Sequence, residues 1–239
     1  MRAADIGDVP VTLTDMETTF TSITKAIAGL VRRGVAPVSI GGDHSVAFPI
    51  IRGVVEGLGA GKKVGIIHFD AHHDLRRAHL GAESSGVQFR KAIELLAPSV
   101  SGHRMAQIGM AEFTNSVQLA DYAREQHVTV ISGREVRQTW MSAAVERAIS
   151  VVAEDSDAIY VSVDIDCIDQ SQAPGTAAPN PFGLDARDVQ EALRTIGAHR
   201  KTVGMDLVEI SPPFDRGDMT GRTGASLILS FLYGMSARR

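Results

Sequence analysis

Three short runs of this 239-residue chain concentrate side chains able to ligate a metal or move a proton. The run Phe69-Asp70-Ala71-His72-His73-Asp74 follows the apolar segment Val64–Phe69. In extended backbone alternate side chains share a face, so Asp70, His72 and Asp74 project together while Ala71 and His73 point away. Two carboxylates and an imidazole converging at a buried strand end repel one another unless positive charge sits between them. A divalent cation is the simplest source of that charge. A polar surface turn is the bland alternative. The apolar residues before it argue against that, because burying such charges unpaired is costly.

The run Ser162-Val163-Asp164-Ile165-Asp166-Cys167-Ile168-Asp169 repeats the arrangement, with Asp164 and Asp166 on one face and Asp169 offset as a turn or cap residue. The run Gly41-Gly42-Asp43-His44-Ser45 permits a tight turn at its glycines. Asp43 or Ser45 can cap the helix that follows. Taken alone, this third run reads as a capped turn with a solvent-facing His44. Taken with the others, it completes a set of His44, Asp70, His72, Asp74, Asp164 and Asp166. Mixed oxygen and imidazole ligation without cysteine favours Mn²⁺ before Zn²⁺. Four carboxylates exceed the needs of one ion and suit a pair about 3.5–4 Å apart, which brings a bridging hydroxide within reach of neutral pH.

The elements that must hold these runs are legible from patterning. Thr14-x-x-Glu17 is a capping-box pattern. Met16, Phe20, Ile23, Ile27, Leu30 and Val31 follow at helical spacing, and Gly34 closes the helix. Short apolar runs read as strands at Val38–Ile40, Val64–Phe69, 104–108, 128–132, 158–165 and 202–208. Helical patterns are read at 46–58, 116–126, 143–153, 185–197 with Asp185 as N-cap, and 220–235. Helices alternating with apolar strands predict βαβ units and a parallel sheet. The three runs then fall at the C-terminal strand ends, where such sheets bind ligands.

Composition bounds the rest. Hydrophobic residues are 44%, aromatic 5% and charged 22%, with 23 glycines, which fits one α/β domain over residues 1–239 and not a disordered or coiled-coil chain. A net charge of −4 lacks the basic footprint of a nucleic-acid binder. The single cysteine, Cys167, suits a reducing compartment. No apolar stretch reaches bilayer length and no signal-peptide pattern opens the chain, so a cytoplasmic protein without membrane or nucleic-acid partners is expected.

In this order, the three runs resemble the GGDH, DAHxD and SxDxDxxD signatures of the ureohydrolases: arginase, agmatinase, formimidoylglutamase and their relatives. The resemblance runs from Asp5-Ile6-Gly7-Asp8 to the C-terminal helix. It implies a three-layer αβα fold with a central, mostly parallel sheet, arginase-like. It implies two Mn²⁺ per subunit held by the same six residues, a homo-oligomer, and a small amidine or guanidine substrate. It implies that Asp74 also hydrogen-bonds the bridging hydroxide. Glu209, in Met205-Asp206-Leu207-Val208-Glu209, matches the family carboxylate that pairs with the amidine, a charge-assisted contact; an exposed strand-end acid is its bland alternative. Relatives carry a further N-terminal strand and loop before Asp5, which this domain is expected to lack.

Within the family, His72-His73-Asp74-Leu75-Arg76, Ser84-Ser85-Gly86-Val87-Gln88-Phe89-Arg90, 108–116, 169–175 and 216–220 look most like formimidoylglutamase. Ser85 stands where agmatinases place a histidine, and Ala177, Ala178 and Phe182 depart from the family loop. The implied reaction is hydrolysis of N-formimidoyl-L-glutamate to glutamate and formamide, in histidine degradation. That substrate carries two carboxylates, so Arg76 and Arg90, beside the metal motifs, are the candidate substrate cations; solvated loop arginines are the alternative. The rivals are an agmatinase or guanidinobutyrase releasing urea, a degenerate non-catalytic homologue, and a deacetylase-like hydrolase with one zinc ion.

Overall fold

The computed structural model describes residues 2–78 and 84–238. Its apolar runs form the strands Val38–Ile40 (β1), Val64–Phe69 (β2), Met105–Met110 (β3), Thr129–Ser132 (β4), Ala158–Asp164 (β5) and Thr202–Val208 (β6). All pair in parallel, in the order β1-β6-β5-β2-β3-β4. β2, β3 and β5 are buried along their whole length, as strands covered on both faces must be.

The helices are Met16–Arg32 (α1), Ala47–Leu58 (α2), Gln88–Leu95 (α3), Val117–Glu125 (α4), Gly133–Thr139 (α5), Met141–Glu154 (α6), Ala186–Ala198 (α7) and Met219–Ser236 (α8). Alternation along the strands divides them between two cores. Ile66, Met105 and Tyr160 pack with Phe20, Ile51, Phe89 and Tyr122 from α1–α4. Ile67, Ile108 and Val161 point the other way, onto Val136, Val152, Leu193 and Phe231 from α5–α8. The result is the three-layer arrangement expected, with a sheet that is wholly parallel among the described strands. No described helix is long and apolar enough to cross a membrane.

Chain direction reverses between two neighbours in the sheet. From β2 the chain proceeds outward to β3 and β4, whereas from β5 it proceeds the other way to β6. Loops leaving adjacent strands in opposite directions open a crevice at their C-terminal ends, and the two Asp-rich runs leave β2 and β5 there.

Two local expectations are corrected. The first helix is capped by Asp15 rather than Thr14. The Asp15 carboxylate accepts from Thr18 N at 3.0 Å and also from the Thr18 hydroxyl, which satisfies the exposed first turn. The helices α3 and α5 escape the periodicity argument because each spans only about two turns.

Gly65, inside the apolar β2 run, has a steric reason. A Cβ there would lie 2.6 Å from Val152 O of α6, so the glycine lets α6 settle directly on the central strand. Gly65→Ala should cost about 1–3 kcal/mol through overpacking. A lowered urea midpoint at unchanged m-value would register it; an unchanged midpoint would contradict the packing argument.

Candidate metal centre

At the end of β1 the chain must turn against β6. Gly41 donates to Leu207 O at 2.9 Å, and a Cβ on it would meet Val46 and Val208 at 2.8–2.9 Å. Asp43 then accepts from Ser45 N at 2.8 Å and starts the single 3₁₀ turn His44–Val46 that leads into α2. The cap expected here is therefore present, and Asp43 provides it. His44 does not face solvent: it is wholly buried, carried inward by that turn.

All six residues meet. His44 Nδ1 lies 3.2 Å from Asp70 Oδ2, 3.1 Å from Asp74 Oδ2 and 3.2 Å from Asp164 Oδ2. His72 Nδ1 lies 3.3 Å from Asp70 Oδ1 and 3.0 Å from Asp166 Oδ2. Asp70 thus presents one oxygen to each imidazole and joins two adjacent donor groups. Asp74 reaches the first of them from a left-handed backbone, φ 51°, so the run after β2 is not simply extended. Asp164 closes β5, and the Ile165–Cys167 3₁₀ turn aims Asp166 at His72, with Asp166 N donating to Asp164 Oδ1 at 2.8 Å.

The donor chemistry fits divalent cations. Ser162 gives its proton to Asp206 Oδ1 at 2.7 Å, leaving its oxygen to accept from His44 Nε2 at 2.9 Å. With the proton on Nε2, the Nδ1 lone pair is free. That atom is buried with no hydrogen-bond partner, surrounded by three carboxylate oxygens. Three carboxylate oxygens converging on it favour positive charge there: a proton on Nδ1 in the metal-free site, where Asp164, Asp70 and Asp74 outweigh burial and hold the His44 pKa well above its ordinary value, or a cation that takes its place.

The titration behaviour reflects the same crowding. Burial, with Asp166 and Asp70 close by, pushes Asp164 well above the usual carboxylate range. Burial and Asp70 push Asp166 up to about 7. Burial works against a charged Asp70, but His68, His44 and His72 hold it well below the ordinary value. Hydrogen bonds to Asp166 and Asp70 push His72 up to about 11.

Glu209 follows β6 and sits beside this cluster. Its Oε1 accepts from His44 N at 2.7 Å, and its own N donates to Gly42 O at 2.9 Å. Its φ of 65° is a strained conformation for a non-glycine residue, the kind retained where geometry serves a site. Burial raises its carboxyl pKa.

The two arginines are placed differently from one another. Arg76 is exposed two residues beyond Asp74, its side chain lying along Gly86, where a Cβ would sit 3.2 Å from its Cδ. Arg90 pairs with Glu94 at 2.8 Å and lies 3.9 Å over the Tyr122 ring, so its contacts are within the α3–α4 layer rather than with the carboxylates. Asp169 organises its own loop, accepting from Ser171 N and Phe182 N. Phe182 takes φ 67° and its ring is 83% exposed, and Ser85 is exposed as well.

Several supporting residues carry no role in the sequence reading: His68, Ser162, Asp206, Gln88, Gln107 and Asn115. Gln88 donates to Asp74 Oδ2. Asn115 accepts from His73 N at 2.9 Å and donates to Ala71 O at 2.8 Å, pinning the Asp-Ala-His-His turn. The linear signal for His68, Gln107, Ser162 and Asp206 is that each is a polar residue inside an otherwise apolar strand run; Gln88 and Asn115 carry none.

Known proteins agree with this geometry. The arginase-family profile matches residues 1–234. The formimidoylglutamase of Halalkalibacterium halodurans is 34% identical over 236 residues, 98% of this chain and 72% of that protein. A guanidinopropionase of Pseudomonas aeruginosa is 35% identical over 236 residues, 97% of this chain and 71% of its own length. A crystal structure of Trypanosoma cruzi formiminoglutamase with Mn²⁺ superposes with a TM-score of 0.90 at 25% identity, covering 98% of this chain and 76% of that one.

A cation at this cluster must displace protons. Near pH 7 the metal-free site holds protons on His72 and His44, both raised by the carboxylates around them, and Asp164 and Asp166 are raised as well; ligands bind metal only when deprotonated. Apparent Mn²⁺ affinity should therefore rise with pH and fall as pH drops below about 7. Calorimetric titrations in buffers of different ionisation enthalpy should report release of about two or more protons per chain at pH 7. Binding without proton release would contradict the assignment.

Proposed function

The chain belongs to the arginase family, and on that premise we propose that it hydrolyses N-formimidoyl-L-glutamate to L-glutamate and formamide with two Mn²⁺ per subunit. The observation that carries this reading is likeness to formimidoylglutamases along nearly the whole chain, in sequence and in three dimensions. The chain's own chemistry supports it: six ligand side chains gathered at the sheet's switch point, with a preset carboxylate beside them.

In this reading His44, Asp70, Asp74 and Asp164 hold one ion and His72, Asp70 and Asp166 the other. The ions, when bound, supply the Lewis acidity that makes hydroxide available near neutral pH. Glu209 pairs with the planar amidinium and presents its carbon to the metal face. The strained φ matters here, because the carboxylate need not reorganise as substrate arrives. The Asp74 carboxylate takes the proton of the attacking water and returns it to the departing nitrogen, which leaves as the amino group of glutamate while the carbon leaves as formamide. Arg76 is the cation assigned to a substrate carboxylate. Arg90 joins it only by leaving Glu94.

The 35% identity to a guanidinopropionase favours a second reading, hydrolysis of a guanidino acid to urea. We further place the enzyme in the cytoplasm, in histidine degradation, as a homo-oligomer built on one domain over residues 1–239.

The deciding experiment is a product assay on Mn²⁺-loaded protein with formimidoylglutamate, guanidinopropionate, guanidinobutyrate, agmatine and arginine. Formamide from the first, with little urea from the others, is the expected result. Urea as the main product would establish the second reading, and turnover of none would show a non-catalytic homologue. Arg76→Ala should raise KM for formimidoylglutamate far more than for an N-alkylformamidine that lacks carboxylates; equal effects would remove it from the site. Glu209→Gln should lower kcat/KM about 10- to 100-fold, the worth of a charge-assisted hydrogen bond. Unaltered kinetics would remove Glu209 from substrate binding.

A further inference from the structure

One register row of the parallel sheet is polar from β1 to β3. Ser39, Asp206, Ser162, His68 and Gln107 stand side by side on β1, β6, β5, β2 and β3. The last four are wholly buried. Their parity on the strands places them on the α1–α4 face, one step below the ligands. Buried polar groups persist only when bonded, and the bonds made by Gln107 can be assigned without ambiguity.

The carbonyl oxygen of His73 can only accept, so the Gln107 atom 2.8 Å from it is the amide nitrogen, Nε2. Gln107 Oε1 then faces His73 Nδ1 at 2.6 Å and accepts its proton. The second Nε2 hydrogen points to His68 Nδ1 at 3.1 Å. His68 Nδ1 is therefore an acceptor, and the ring's proton is on Nε2, which donates to Asp70 Oδ2 at 2.8 Å. His68 lies close enough to His44, Asp70 and Asp74 to serve as a further ligand. Both of its nitrogens are already engaged, so it has no lone pair to offer an ion.

We propose that His68 and Gln107 are positioning residues of the metal centre. Gln107 locks the His68 tautomer, and His68 in turn holds Asp70, the carboxylate shared by both donor groups, with one oxygen toward each imidazole. The inference rests on the two-ion reading above and adds residues to it. His68 also packs 4.0 Å from the Phe89 ring, which makes a purely structural role the competing explanation.

Two substitutions separate these roles because they keep opposite halves of the side chain. His68→Gln preserves an N–H donor near the Nε2 position and loses the ring. His68→Phe preserves the ring against Phe89 and loses the donor. Mn²⁺ titration calorimetry of metal-stripped full-length protein, with Tm of each metal-free variant as the folding control, should show His68→Gln near wild type. His68→Phe should bind about 10- to 100-fold more weakly, the usual cost of removing a partner that orients a ligand. The reverse order, or equal affinities for all three proteins, overturns the proposal. If the wild type binds no Mn²⁺, the two-ion reading itself fails and this proposal falls with it. Should a variant fail to fold, histidine ¹⁵N spectra of the metal-free wild type read the tautomer directly. The Nε2–H form of His68 supports the proposal and the Nδ1–H form overturns it.

Discussion

Four carboxylates and two imidazoles share one buried space, and the arrangement of the molecule around them follows from that concentration of charge. Carboxylates this close cannot all ionise unless positive charge is supplied. The displaced pKa values record the conflict: two acids, Asp164 and Asp166, are raised, while Asp70 is held down by the imidazoles around it. A site with those properties in its metal-free form is already matched to two divalent cations. The cost of desolvating its acids becomes a source of affinity once the cations arrive.

The fold supplies the proximity. β2 and β5 are neighbours although 88 residues separate Asp70 from the start of β5 at Ala158, and their loops depart in opposite directions. Neither loop alone closes a donor group: His44, from the far edge strand, completes one of them. It arrives there because Gly41 allows the backbone to press against Val208 and because Asp43 starts the turn leading into α2. Beneath the ligands, Ser162 with Asp206 fixes His44 through its Nε2, and His68 with Gln107 holds Asp70. Hydrogen-bonded support of this kind determines which lone pairs are available, which a list of ligands by itself does not specify.

Substrate recognition uses a different device. Glu209 is held in a left-handed conformation between Gly42 and His44, so the carboxylate proposed to meet the amidinium is tied to the backbone that carries a proposed metal ligand. The cations proposed for the far end of the substrate are held more loosely. Arg76 is exposed on a loop, and Arg90 is committed to Glu94 and Tyr122. Relatives with the same catalytic core and different acid substrates are the expected consequence of a rigid reaction centre beneath adaptable loops.

Asp70, His72, Asp74, Asp164 and Asp166 were legible as ligands in the linear chain because side chains two apart share a face in extended backbone, although Asp74 and Asp166 reach the cluster through turned backbone. His44 carries no such alternation and is identified only together with the other two runs. Strand positions were legible for a similar reason, since a fully buried strand must be continuously apolar. The short helices α3 and α5 were not, because two turns are too few for a period to emerge. Nor was the cap at Asp15, one residue past the Thr14 that the capping-box pattern points to. The role of His68 lay further out of reach. A histidine in an apolar run is visible, yet its function depends on Gln107, 39 residues away and brought alongside only by strand register. Local spacing dictates which residues can act together within a run. Which runs meet, and which proton sits on which nitrogen, is decided by pairing across the sheet, because those contacts join residues whose separation along the chain carries no periodic signal.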